Sequence, residues 1–164
     1  ITIRTHEAAI RIIDKKGALN NPADRDHCIQ YMIAVPLIFG RLTAADYEDN
    51  IASDVRIDVL RDKMICIEDK QFTQDYHDPE KRSIANALTV ELNDGTVLDE
   101  VVVEYPIGHK RRREEGIPEL VKKFKINLAR KFPEKQQRTI LEASLDYSKL
   151  INIPVNEWVD LMVI

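Results

Sequence analysis

Glycine is scarce in this sequence. Five of its 164 residues are glycine, about 3% against roughly 7% in average proteins. Gly17, Gly40, Gly95, Gly108 and Gly116 are nowhere spaced as GxGxxG or GxxxxGKS/T, which excludes the glycine-rich phosphate loops. Cysteine is scarcer still. Cys28 and Cys66 alone cannot frame a disulfide-rich fold or a four-cysteine zinc site, and cytosolic thiols are the simplest reading. Long apolar runs are absent too. The longest, Tyr31 to Phe39, is interrupted by Pro36, whereas a membrane helix needs about 20 residues. No leader-like segment opens the chain. HExxH, CxxC and GxSxG are missing, and His6, His27, His77 and His109 lack metal-ligand spacing, so no metal is predicted.

The chain is rich in charge of both signs. It carries 24 basic and 28 acidic residues, net −4, in a length that suits one domain or one domain plus part of another. The signs are unevenly placed. Between His109 and Arg138 eleven basic residues face four acidic ones, a local +7, and the remainder sums to −11. Such a shift marks a boundary between structural units, placed here near residue 109. The opening Ile1-Thr2-Ile3-Arg4-Thr5 has no methionine and alternates like a strand already under way. The expectation is a piece of a longer chain.

Before residue 109 the pattern mixes strand and helix. Residues 1–5 read as a strand and 7–13 as a short helix stopped at Gly17. Asn21 suits a cap and Pro22 a first helical position. From there a single helix is predicted through Phe39, with Cys28, Tyr31, Met32, Val35, Ile38 and Phe39 on one stripe. Pro36 should kink or end it and Gly40 close it. Thr43 caps a short helix over 43–48, Asp54 caps another over 54–61, and 63–68 alternate as a strand. Residues 84–92 and 96–103 form a hairpin turning at Asn93-Asp94-Gly95, where glycine supplies a positive φ. Asp75-Tyr76-His77-Asp78-Pro79 reads as a polar turn. After residue 116 only helices are predicted: from Pro118 to Phe132, from Pro133 with Ile140, Leu141 and Leu145 inward, and from Pro154 to Met162. The fold class is α+β.

Two groups of residues could carry chemistry. On one continuous helix His27 and Tyr31, four apart, would share a face, and an imidazole beside a phenol suits proton transfer. The plainer alternative is a core tyrosine with His27 at the rim. Gly108-His109-Lys110-Arg111-Arg112-Arg113 could hold anions through arginine forks, or be a solvated basic turn. His6, Cys28 and Cys66 read as structural. The +7 segment also admits a nucleic-acid-binding helix, but Phe124 and Phe132 lie on the apolar stripe rather than among the charges, so no nucleic-acid partner is expected.

NNPADRDHCIQYMIAVPLIFGRLTAADYED, DYHDPEKRSIANALTVELNDGT and VEYPIGHKRRREEGIPELVKKFKINLARKFP resemble the dehydratase branch of the MmgE/PrpD family, and the closing PVNEWVDLMVI resembles that branch's C-terminus. The resemblance covers essentially the whole chain and implies the C-terminal third of such an enzyme. Residues 1–108 would be most of a small α/β lid containing the hairpin. Residues 109–164 would return to a large all-helical domain. The implied reaction is loss of water from 2-methylcitrate to give 2-methyl-cis-aconitate in propionate breakdown, with no cofactor and no iron–sulfur cluster. A relative acting on citrate or cis-aconitate, by decarboxylation or isomerisation, is the alternative within the family.

By the same resemblance Tyr31 and His27 are catalytic, and Arg25, His109 and Lys110 bind the carboxylates of the tricarboxylate substrate. The other proton-transfer groups would lie outside these residues, so the chain would hold half a site. A cytoplasmic homodimer, with the remainder of the parent chain and the substrate as partners and no membrane, completes the expectation.

Overall fold

The alternation at the start of the chain makes an interior strand. In the computed structural model, which describes residues 1–164, β1 spans Thr2–Thr5 and turns Ile3 and Thr5 inward. β2 (Ile65–Glu68) pairs with β1 in parallel. β3 (Asn86–Thr89) pairs with it antiparallel, and β4 (Val101–Val103) pairs antiparallel with β3, giving the order β2-β1-β3-β4. Parallel neighbours require a crossover. Here it carries α1 (Glu7–Ile13), α2 (Pro22–Asp26), α3 (Ile29–Phe39), a 3-10 turn (Ala44–Tyr47), α4 (Asp49–Ala52) and α5 (Val55–Arg61). The register sets Ile3 opposite Cys66 and Leu88, so these side chains share one sheet face. Ile29, Tyr31, Ala34 and Val35 of α3 and Ile57 of α5 join Ile3, Cys28 and Met64 in the core.

Local signals account for most of these elements. The His6 ring nitrogen accepts from the Ala9 N–H and caps α1. Asn21 accepts from the Asp24 N–H at 2.9 Å, with Pro22 as first residue of α2. Asp54 accepts from the Arg56 N–H at 3.0 Å. Pro36 does not end α3, which runs on to Phe39 and closes at Gly40.

The hairpin turns where expected. Gly95 has φ +84°, and the Leu92 N–H donates to Thr96 O at 2.8 Å. Leu88 pairs with Val101 and Glu91 with Val97, so the returning strand takes one residue more than its partner. That is a β-bulge, and its Glu100 reaches Arg4 at 2.9 and 2.7 Å.

Three expectations are corrected. Residues 75–77 are not a turn but the end of α6 (Lys70–His77), capped by Asp69, which accepts from the Gln71 and Phe72 N–H groups. The helix expected from Pro118 is α7 (Arg113–Ala129), with Pro118 inside it. The bond Pro118 cannot make falls on the carbonyl of exposed Glu114, where a ladder gap is cheap. Leu145, expected inward, is 50% exposed.

The chain forms two compact units, Ile1–Pro106 and Ile107–Ile164. The first holds the sheet and α1 to α6. The second has a 3-10 turn (Lys110–Arg112), α7, α8 (Glu134–Leu145), α9 (Tyr147–Leu150) and α10 (Val155–Asp160). Leu128 and Ile140 are its buried centre. The Gln136 side chain donates to Leu161 O and Val163 O at 2.9 and 2.8 Å, and Trp158 Nε1 to Ser144 Oγ at 3.1 Å. Leu120, Ile126, Tyr147 and Val155 remain uncovered. No helix is long and apolar enough to cross a membrane.

Candidate active site

The single helix predicted over 22–39 is two helices. α2 ends at Asp26, His27 has φ −107° and ψ 30°, and Cys28 is extended before α3 starts at Ile29. His27 and Tyr31 therefore do not share a helix face. The break has a local cause. The last carbonyls of a helix lack backbone partners, and here Arg25 O accepts from the Cys28 N–H at 3.3 Å while His27 Nδ1 lies 3.2 Å from Ala23 O. A histidine at a helix C-terminus is a favourable cap. The following Cys28 is fully buried.

His27 is 59% exposed at its side chain, and its Nδ1 also meets the Asp26 carboxylate. Nε2 has no partner in the protein. Arg25 is not an open cation. Its side chain is 7% exposed, and the guanidinium donates to Tyr47 O at 2.6 Å and pairs with Asp49 at 2.7 Å, while Nε is buried without a partner.

Tyr31 lies in the core, 2% exposed, with its hydroxyl donating to Asp46 O at 2.6 Å and its ring stacked on Tyr47. Burial raises the Tyr31 pKa against the opposing charge of Arg25, so the phenol keeps its proton. Tyr47 is raised by burial and by the charges of Asp26 and Asp46. Asp46 is fully buried. Burial pushes its carboxyl up, but the Thr43 hydroxyl and N–H, both at 2.7 Å, and the Arg41 guanidinium outweigh this and hold it below the usual carboxylate range.

His109 and Lys110 lie in the second unit. His109 Nδ1 accepts from the Arg111 N–H at 3.1 Å and caps the 3-10 turn there, while Lys110 is exposed. The first unit thus brings Arg25, His27 and Tyr31 to one corner, each in a different setting. Sequence reasoning missed Asp26 as the partner of His27, although the two are adjacent. It also missed Asp46, which the Thr43-Ala44-Ala45-Asp46 spacing, that of a capping box, announces. Neither cysteine is an activated thiol: burial, then Asp14, pushes Cys66 up to about 12, and Cys28 is inaccessible. No three His, Cys, Asp or Glu side chains are placed to hold a metal ion.

Residues 1–148 match the MmgE/PrpD C-terminal domain. The chain belongs to the MmgE/PrpD family. Over all 164 residues it is 73% identical to the 2-methylcitrate dehydratase of Escherichia coli K12 and 72% identical to that of Cupriavidus necator, in each case covering 34% of the relative. It is 61% identical over 163 residues to the mitochondrial 2-methylcitrate dehydratase of Yarrowia lipolytica, covering 31% of it. The chain thus spans about a third of the length of these MmgE/PrpD relatives.

Proposed function

We propose that this chain is the C-terminal part of a hydro-lyase that dehydrates 2-methylcitrate to 2-methyl-cis-aconitate. The observation that carries the proposal is the identity of 72–73%, over every residue, to enzymes named for that reaction. Such an enzyme takes a C–H proton beside a carboxylate, lets the hydroxyl leave as water, and neutralises the charge that builds meanwhile. His27, with an open Nε2, is the proton-transfer group of this half. Tyr31, whose phenol stays protonated, is the acid of this half. Arg25 sets the corner by tying α2 to Tyr47 and Asp49.

The first unit is the lid and the second packs into the helical body of the parent. Its uncovered Leu120, Ile126, Tyr147 and Val155 support this. The two free thiols suit a reducing compartment such as the cytoplasm.

The test is the purified full-length parent, given 2-methylcitrate and followed by the absorbance of the conjugated product. Water loss from 2-methylcitrate well ahead of citrate, with no CO2 from cis-aconitate, is the expected result. Release of CO2 makes it a decarboxylase and overturns the proposal. The 164-residue chain alone should show no turnover.

A further inference from the structure

The exposed imidazole at the α2–α3 break is held on one side only. His27 Nδ1 lies against two acceptors, the Asp26 carboxylate and Ala23 O at 3.2 Å. A neutral imidazole carries one N–H, on either nitrogen. A lone pair at Nδ1 would face two oxygens, one of them charged, so the proton belongs on Nδ1 and the lone pair on Nε2. Asp26 makes no other hydrogen bond and pairs with no lysine or arginine. The imidazole is the one group this carboxylate hydrogen-bonds, and beyond it the Asp26 charge is felt only at the Tyr47 hydroxyl.

We propose that Asp26 is the positioning residue for His27, fixing the neutral ring as the Nδ1–H tautomer so that Nε2 is the atom that moves the proton. The inference rests on the reading of His27 as a proton-transfer group. In that step the substrate C–H proton passes to Nε2 and the C–H electron pair becomes the C=C bond. The C–O pair leaves on oxygen, which takes a proton from the acid beside it and departs as water. The imidazolium, facing the Asp26 carboxylate through Nδ1–H, then returns its proton to solvent, from which the acid is reprotonated. Where substrate displaces water the carboxylate–imidazolium attraction strengthens.

The experiment compares Asp26→Ala, Asp26→Asn, Asp26→Glu and His27→Gln in the full-length parent, with kcat, KM, Tm and histidine-selective 15N NMR for each. Asparagine can turn its NH2 toward Nδ1 and select the opposite tautomer, a change that costs a Ser–His–Asp triad about 10,000-fold in kcat. At this more exposed site Asp26→Ala and Asp26→Asn should each lower kcat about 10–100-fold, leave KM within about twofold and leave Tm unchanged. Asp26→Glu should recover part of the rate. The parent spectrum should show a protonated Nδ1 in the neutral ring, and Asp26→Ala should shift His27 toward the Nε2–H form.

If Asp26→Ala keeps parental kcat while His27→Gln abolishes it, the positioning role is refuted and the reading of His27 stands. If His27→Gln also keeps parental kcat, the reading of His27 falls and the positioning role with it. A neutral ring protonated at Nε2 in the parent, or a raised KM with kcat and tautomer unchanged in Asp26→Ala, also overturns the proposal.

Discussion

Replacing Tyr31 with phenylalanine removes one oxygen and leaves the ring. The ring is buried in the α3 core and stacked on Tyr47, and phenylalanine keeps both contacts. What is lost is the 2.6 Å donation to Asp46 O. A neutral hydrogen bond contributes about 0.5–1.5 kcal/mol net, and a buried carbonyl left without a donor costs about 1–3 kcal/mol. Tyr31→Phe should therefore destabilise the fold by about 1–3 kcal/mol. With a urea slope of about 1–3 kcal/mol per molar, the midpoint of the 164-residue chain falls by about 1 M.

The same substitution in the full-length enzyme reads a second quantity. A positioned proton donor contributes roughly a hundredfold or more in rate, about 2.7 kcal/mol of barrier. The expected pattern is a kcat lowered about a hundredfold with KM little changed, besides the loss of stability. Parental kcat and KM together with the lowered urea midpoint would make Tyr31 a core residue only. An unchanged midpoint would refute the hydrogen bond itself.

Gly116→Ala places a Cβ 2.9 Å from Gly108 N and 3.2 Å from its Cα; backbone cannot yield there, so the second unit should lose about 1–3 kcal/mol, read as faster amide exchange across α7. Asp46→Asn leaves one oxygen for the Thr43 N–H and hydroxyl but turns a buried NH2 toward the Arg41 guanidinium, and should cost about 1–3 kcal/mol in urea melts. Burial, and then the charge of His77, lowers the His6 pKa, so the unfolded chain binds the extra proton first. Its contribution is complete above the ordinary histidine value of about 6.5 and is lost as pH falls from there through the lowered folded pKa. Urea midpoints at successive pH values should decline over that window, and His6→Ser, which keeps a capping oxygen for α1, should flatten the decline.

The parts of the fold legible in the sequence are those whose cause lies within a few residues. Caps at Asn21, Thr43 and Asp54, the first-position Pro22 and the Asn-Asp-Gly turn act on the nearest backbone groups. The structure shows each of them in place, whatever surrounds them. The signals that failed are those read as periodicity alone. The stripe from Cys28 to Phe39 is real, but apolar spacing alone passes over the break before it, whose mark is a different local signal: His27 placed to reach back to Ala23 O and cap α2. α6 was missed because its eight residues, mostly polar, offer a weak apolar stripe. Leu145 was placed inward by its spacing, yet within these residues it stays half exposed.

The sequence by itself determined the α+β class, the order of the four strands, the hairpin, and, through the family's motifs, the residues to watch. Tertiary structure alone decided what each of those residues does. Arg25 and His27 are both polar residues of one short segment, but only the packing of the 3-10 turn against α2 buries the first and leaves the second open. Tyr31 and Asp46 are fifteen residues apart, and the bond between them exists because α3 and the turn after it fold back together. Burial, a pKa shift and a hydrogen bond to a distant carbonyl depend on what the rest of the chain brings alongside, and no local pattern encodes that.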